Sequence, residues 1–426
     1  MRVWPSGDLW RHGDFLRFWS AQTISQFGSQ VSQLALPLVA ILVLDASAFE
    51  VALLSTVEFL PFLLFALPAG VWVDRLRRKP ILVLGDLGRA AALASVPAAY
   101  AFDALTIWQL YAVGFLVGVG TVFFDVAYQS YLPSLVDRSR LVDGNSKLEV
   151  SRSGAALAGP GLAGVLIGAI TAPYAILVDA LSFIGSAALI VRIRRPEILP
   201  ELSEKPSMRR ELVEGLRYLL GHRFWRPLAL TVAVSNFFNT LAFSIFLVYA
   251  VRDLELSATV IGLVLGIGNV GWLLGAVAAN RLSARLGVGP TLVGSSLVFG
   301  PALLLVPAAP QSQPTPFLVA ALILASFAGI VFNVTGLSFQ QAVAPDRLLG
   351  RLNATRRFIV WGVIPLGSLT GGALASLIGL RPTLWVGAIG GSLSFLPLLL
   401  SPVRSISDME SAVREHSDVS TMRPDA

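Results

Sequence analysis

The chain is 426 residues long; 55% of them are apolar or aromatic, 14% are charged, and the mean hydropathy is +0.72. Soluble chains carry about 25% charge, and so few charges cannot screen this much apolar surface, so a cytosolic enzyme, an extracellular module and a disordered chain are poor readings and a polytopic membrane protein remains. Cysteine is absent, which removes disulfide frameworks and thiolate metal sites, and the net charge of +6 does not gather on one soluble face as nucleic-acid binding requires.

A bilayer core needs about 20 apolar residues of helix, and twelve stretches fit. The first, 18–44, contains no Asp, Glu, Lys or Arg and carries Gln22, Gln26, Ser29, Gln30 and Gln33 at i, i+4, i+7, i+8 and i+11. That polar stripe suits a cavity wall or interhelical hydrogen bonding. Ala46-Ser47-Ala48 imitates a signal cleavage site, but the apolar stretch before it is too long for a signal peptide, so the segment is expected to be retained. The second span, 51–73, embeds Glu58 with no charged residue within seven positions. After it comes Gly70-Val-Trp-Val-Asp74-Arg75-Leu-Arg77-Arg78-Lys79. Here Gly70 is expected to admit another helix, Asp74 to meet a helix N-terminus, and the arginines to pair with a carboxylate.

The third span, 81–101, holds Asp86 and Arg89 three residues apart, the spacing of a structural ion pair. In the fourth, 107–134, Asp125 is placed to reach Arg78. The fifth, 153–178, contains Gly159-Pro160-Gly161-Leu162-Ala163-Gly164. Pro160 removes an intrahelical hydrogen bond, and the small residues permit close helix packing. Asp179 stands alone in the sixth, 173–191.

Residues 192–226 break the pattern: fourteen of them are charged, and Pro196, Pro200 and Pro206 make the first part extended. Leu212, Leu216, Leu219 and Leu220 then form one stripe over Met208 to Leu220, which reads as a helix in the cytoplasmic interface or as a solvated linker helix. Six further spans follow: 227–251, 256–280, two within 286–345 separated by the proline-rich run 307–316, 358–380 and 382–403. Asn236 and Asn239 are polar points expected on a cavity wall, with Phe237, Phe238, Phe243 and Phe246 beside them. Residues 402–426 read as a disordered polar tail.

Lys and Arg stay cytoplasmic. With the N-terminus inside, 29 basic residues fall on the inner segments and two, Arg252 and Arg381, on the outer loops. The expected organisation is therefore a six-helix bundle over 1–191, a cytoplasmic linker over 192–226, a second six-helix bundle over 227–401 and a cytoplasmic tail over 402–426. Asp137-Arg138 is echoed by Asp346-Arg347 after 209 residues, Asn145 by Asn353 after 208, and Asp74-Arg75 by Asn280-Arg281 after 206. A repeat at half the chain length means two similar bundles related by an axis along the membrane normal, with a mid-membrane cavity between them.

These residues carry a resemblance. The run from Gly70 to Lys79 resembles the signature loop of the major facilitator superfamily, with Gly70, Asp74, Arg75, Arg78 and Lys79 matching and Arg77 replacing a glycine. Gly159, Pro160 and Gly164 resemble the span-five signature of its drug:proton antiporters, with Ala163 replacing one glycine. Phe18-Trp19-Ser20-Ala21-Gln22, Leu60-Pro61-Phe62, Gln129-Ser130-Tyr131-Leu132-Pro133 and Val178-Asp179-Ala180-Leu181-Ser182-Phe183 are similar to the twelve-span group that includes macrolide and enterobactin exporters.

The resemblance implies an all-α membrane protein that exports small molecules, and a loop from Gly70 to Lys79 that latches one conformation, with Asp125 as partner. Four acids lie inside spans of the first half: Glu58, Asp86, Asp125 and Asp179. A buried carboxyl is costly and can exchange protons, so Glu58, then Asp179 and Asp125, are the candidates for proton coupling. The expectation is a proton-coupled exporter of amphiphilic molecules in a bacterial cell membrane, working as a monomer, with cytoplasmic termini and no cofactor or metal. A facilitator or importer without a proton step and a lipid-translocating protein remain alternatives. No phosphate-binding loop ending in Lys-Ser/Thr is present, and His12, His222 and His416 are isolated.

Overall fold

The computed structural model describes residues 8–195, 197, 216–344 and 346–408. These form helices joined by short turns, with no strand among the described residues. In chain order the helices are α1 (Gly13–Leu42), α2 (Ala48–Arg75), α3 (Arg78–Ala101), α4 (Ile107–Leu135), α5 (Leu141–Ile170), α6 (Ala172–Val191) and α7 (Trp225–Arg252). Then come α8 (Ala258–Gly268), α9 (Val270–Leu286), α10 (Val288–Leu303), α11 (Pro314–Val343), α12 (Asp346–Ile378) and α13 (Leu380–Ser392). In lipid, only a helix satisfies its own backbone hydrogen bonds within one segment, so an apolar chain of this kind folds this way.

Eleven helices among the described residues are long and apolar enough to cross a bilayer, with α8 and α9 counting as one. The thirty-residue α1 is not one of them; its glutamine stripe lowers its hydropathy. The proline run expected to separate two spans does so: a short turn at Leu305–Ala308 ends the α10 segment, and Pro314 starts α11.

The chain groups into two compact units, Met1–Ser203 with Ala250–Gly266, and Glu204–Tyr249 with Ile267–Ala426. In the first, α1 packs on α5 and α6, α3 on α4 and α6, and α2 on α4. In the second, α11 packs on α9 and α10, and α13 on α10 and α12. One aromatic core gathers Phe15, Phe18, Phe124 and Tyr131, the other Phe224, Trp225 and Phe339.

The sequence repeat has a backbone counterpart. Asp45 and Glu255, 210 residues apart, take positive φ of 49° and 52° in equivalent turns. The next amides, of Ala46 and Leu256, donate to Ala40 and Ala250 carbonyls at 2.8 and 2.9 Å. Thr171 (φ 71°) and Gly379 (φ 90°) likewise mark the turns before α6 and α13.

Of the interfacial helix expected over Met208 to Leu220, the part up to residue 215 lies outside the described residues; Leu219 is buried in the second core. Of the disordered tail expected over 402–426, residues 409–426 lie outside the described residues, and 402–408 are ordered. Pro402–Ser405 form a helical turn, and Val403 and Ile406 are buried. Carbonyls of Ile406 and Ser407 accept from the Gly289 and Val288 amides at the start of α10, at 2.9 and 3.3 Å. Apolar Val403 and Ile406 anchor a stretch whose overall composition is polar.

Candidate functional site

Charged groups converge inside the first unit. Arg89 of α3 donates from its guanidinium to Asp86 at 2.6 Å, forming the expected pair, with both side chains almost fully buried. The guanidinium lies 4.4 Å from the ring centre of Phe124 and 4.0 Å from that of Phe183. Such cation–π contacts strengthen when desolvated. Arg89 is also within electrostatic range of Asp125 and Asp179, so one cation faces three carboxyls from three helices.

Asp179 accepts from Ser182 Oγ at 3.0 Å. Gly28 of α1 lies directly against this pair, and any Cβ there would strike both side chains. Glu58 stands apart from the cluster: half-buried on α2, it packs over Gly114 of α4, and no charged side chain acts on it among the described residues.

Arg78 does not reach Asp125, as the sequence led us to expect; its partner is Glu197 of the linker, 3.3 Å away. The Glu197 carboxylate also accepts from the Arg78 amide at 2.7 Å and the Lys79 amide at 3.2 Å, capping α3, which lacks a side-chain cap of its own. An anion is favoured there by the helix dipole. Lys79 Nζ in turn donates to the carbonyls of Val191 and Ile193, at 2.9 and 2.8 Å. Asp14 accepts from the amides of Arg194 and Arg195 and pairs with Arg17. Burial pushes the Asp14 carboxyl up, but these hydrogen bonds outweigh it and hold the group below its ordinary value.

Sequence reasoning missed Glu197. The available signal was a single acid following Arg192, Arg194 and Arg195. Gly70 meets no other atom among the described residues where its Cβ would stand, so the close helix approach expected there is not what this glycine provides. Arg75 is exposed, and the side chain of Asp74 lies outside what the structure describes.

The span-five motif sits at a double crossing. Gln30 of α1 lies over Gly159, and the Pro160 carbonyl faces Gly262 of α8. Gly164 and Gly262 bring the two backbones together, and Thr259 Oγ1 donates to the Gly164 carbonyl at 3.3 Å. Without a hydrophobic driving force between helices in lipid, such small-residue seams supply van der Waals packing. Within the α1 stripe, Gln30 donates to Gln33 at 3.3 Å, Gln22 is buried, and Gln26 is half-buried.

The second unit contains a cavity of about 400 Å³. Asn236 and Asn239 of α7 line it, as do Asn333 and Gln340 of α11 and Trp361 of α12. Of the expected cavity residues, the four glutamines of α1 are not on its wall.

A family model described as "Transmembrane secretion effector" matches residues 9–423. The chain belongs to this family of the major facilitator superfamily. Among its relatives, Macrolide efflux protein A of Streptococcus pyogenes is 24% identical, over 86% of this chain and 90% of that protein. Multidrug efflux pump Tap of Mycolicibacterium fortuitum is 25% identical, over 88% and 92%. The fold is shared with a bacterial homologue of the iron transporter ferroportin (TM-score 0.75, 18% identity, 94% of this chain and 100% of that one). It is shared also with the nucleoside transporter NupG (TM-score 0.72, 11% identity, 91% and 98%). The chain is a multi-pass membrane transporter of bacterial type, with efflux proteins among its relatives.

Proposed function

We propose that this transporter exports small amphiphilic molecules from the bacterial cytoplasm by alternating access, driven by inward proton flow through the carboxyls of its first unit. Glu58 carries the coupling. The supporting observation is its isolation: a half-buried carboxyl inside a helix, with no counter-charge among the described residues, is neutral when protonated and destabilised when charged. Its protonation state therefore changes the energy of the surrounding bundle. Asp179 and Asp125, both near Arg89, follow as secondary carriers, and Asp86, bonded to Arg89, is structural.

The proposed organisation has bundles over 1–191 and 227–401, a cytoplasmic linker, cytoplasmic termini and a monomeric working unit. The loop from Gly70 to Lys79 acts as the conformational latch, with Glu197 as the acid that engages Arg78 and caps α3.

Reconstituted vesicles test the coupling. An imposed pH difference drives cargo movement in the native protein, and Glu58→Gln abolishes that component while cargo binding persists. Undiminished pH-driven transport in the variant removes Glu58 from the mechanism. Transport indifferent to any proton gradient in the native protein favours the facilitator reading.

A further inference from the structure

The cavity in the second unit differs in chemical character from the ion cluster of the first. Among the described residues, no ionisable residue lines it. Its wall combines the rings of Trp225, Phe299, Phe332 and Trp361 with the amides of Asn236 and Asn333. Its volume of about 400 Å³ falls within the range of about 300–1,000 Å³ usual for small-molecule sites.

Three polar atoms on its lining residues, Trp225 Nε1, Thr231 Oγ1 and Ser394 Oγ, are buried without a hydrogen-bond partner among the described residues. Buried polar groups are almost always paired. These three atoms have no surface open to the cavity, so the donors a ligand meets on its wall are the amides of Asn236 and Asn333.

The repeat shows how this neutrality arises. Pro80 and Pro290 are each the third residue of their helices, α3 and α10. Aligned on these prolines, Asp86 corresponds to Ser296 and Arg89 to Phe299. Between α4 and α11, Phe124-Asp125-Val126 corresponds to Phe332-Asn333-Val334, 208 residues later. Three of the four positions that hold the buried ion cluster in the first unit are thus uncharged in the second, and Ser296, Phe299, Phe332 and Asn333 all line the cavity. A charged ligand would lose its hydration there without gaining a counter-ion from the described lining residues.

We propose that this cavity is a binding site for an uncharged, ring-bearing amphiphile with hydrogen-bond acceptors at its edge, and that this ligand is the cargo. Its identification as cargo rests on the export reading; the binding itself does not.

The test uses the full chain purified in detergent and two fluorescent probes: neutral 7-amino-4-methylcoumarin and permanently cationic ethidium. Equilibrium dialysis should show saturable coumarin binding at least tenfold tighter than ethidium, accompanied by energy transfer from tryptophan. Gly336→Leu adds bulk at a lining position where a Cβ meets only Leu292, at 3.7 Å, and Asn333→Asp adds a charge. Each should weaken coumarin binding at least tenfold, and Asn333→Asp alone should improve ethidium binding, with thermal unfolding unchanged. Equal affinity for the two probes in the native protein overturns the proposal without recourse to any variant. So does coumarin binding that survives both substitutions in folded protein. In vesicles, unchanged coumarin transport by both variants overturns the cargo assignment but leaves export standing. Binding that follows the expected pattern with no transport of coumarin counts against the export reading and leaves the site standing.

Discussion

Asp86 and Arg89 show how a single buried pair organises a helix. Their contact at 2.6 Å leaves neither charge exposed, so removing one partner strands the other in a low-dielectric interior. Asp86→Asn is expected to destabilise the purified protein by about 3–5 kcal/mol, with Asp86→Leu/Arg89→Met recovering most of that loss. A loss below about 1 kcal/mol in detergent unfolding experiments would mean the pair behaves as if solvated. Asp14 gives a pH signature. Its folded value is depressed, so its contribution is present above the ordinary value of 3.8 and is lost as pH falls through the folded value. Native protein should therefore lose stability on acidification below about pH 4, and Asp14→Asn should show a smaller loss over that window. The Asp86 pair was legible from its spacing of three; the Asp14 contacts, 180 and 181 positions away in the chain, were not.

Among the helices, α5 and α8 meet where Gly164 faces Gly262 backbone to backbone. A Cβ at 164 would lie 2.6 Å from the Ala258 carbonyl oxygen and 2.8 Å from Gly262 Cα, and backbone atoms cannot rotate aside. Gly164→Leu should force the helices apart, at a cost of about 1–3 kcal/mol. Gly154→Leu, ten residues earlier on α5 in open space, is the control and should be near neutral in the same unfolding measurement. The motif predicted that small residues matter on α5, and the structure identifies their partners as Gln30 for Gly159 and Gly262 for Gly164. No pattern within α5 itself encodes which helix crosses it. Glu197 teaches the same lesson at the start of α3, where an acid more than a hundred residues downstream replaces the missing local cap.

For the molecule as a whole, the absence of cysteine allows its topology to be mapped without background labelling. With the inferred orientation, Ser312→Cys in the loop before α11 should react with an impermeant maleimide in intact cells. Lys205→Cys in the linker should react only after permeabilisation. The reverse pattern overturns the orientation. By itself, the sequence determined the helical class, the family, the turn separating α10 from α11 and the pairing of Asp86 with Arg89, because hydropathy and short-range spacing are local properties. Tertiary structure alone decided that Glu197 engages Arg78, that one guanidinium faces carboxyls from three helices, and that the second unit holds a cavity with no ionisable group among its described lining residues. Each of these depends on which helix faces bury against one another, and that choice is made by the packing of side chains far apart in the chain.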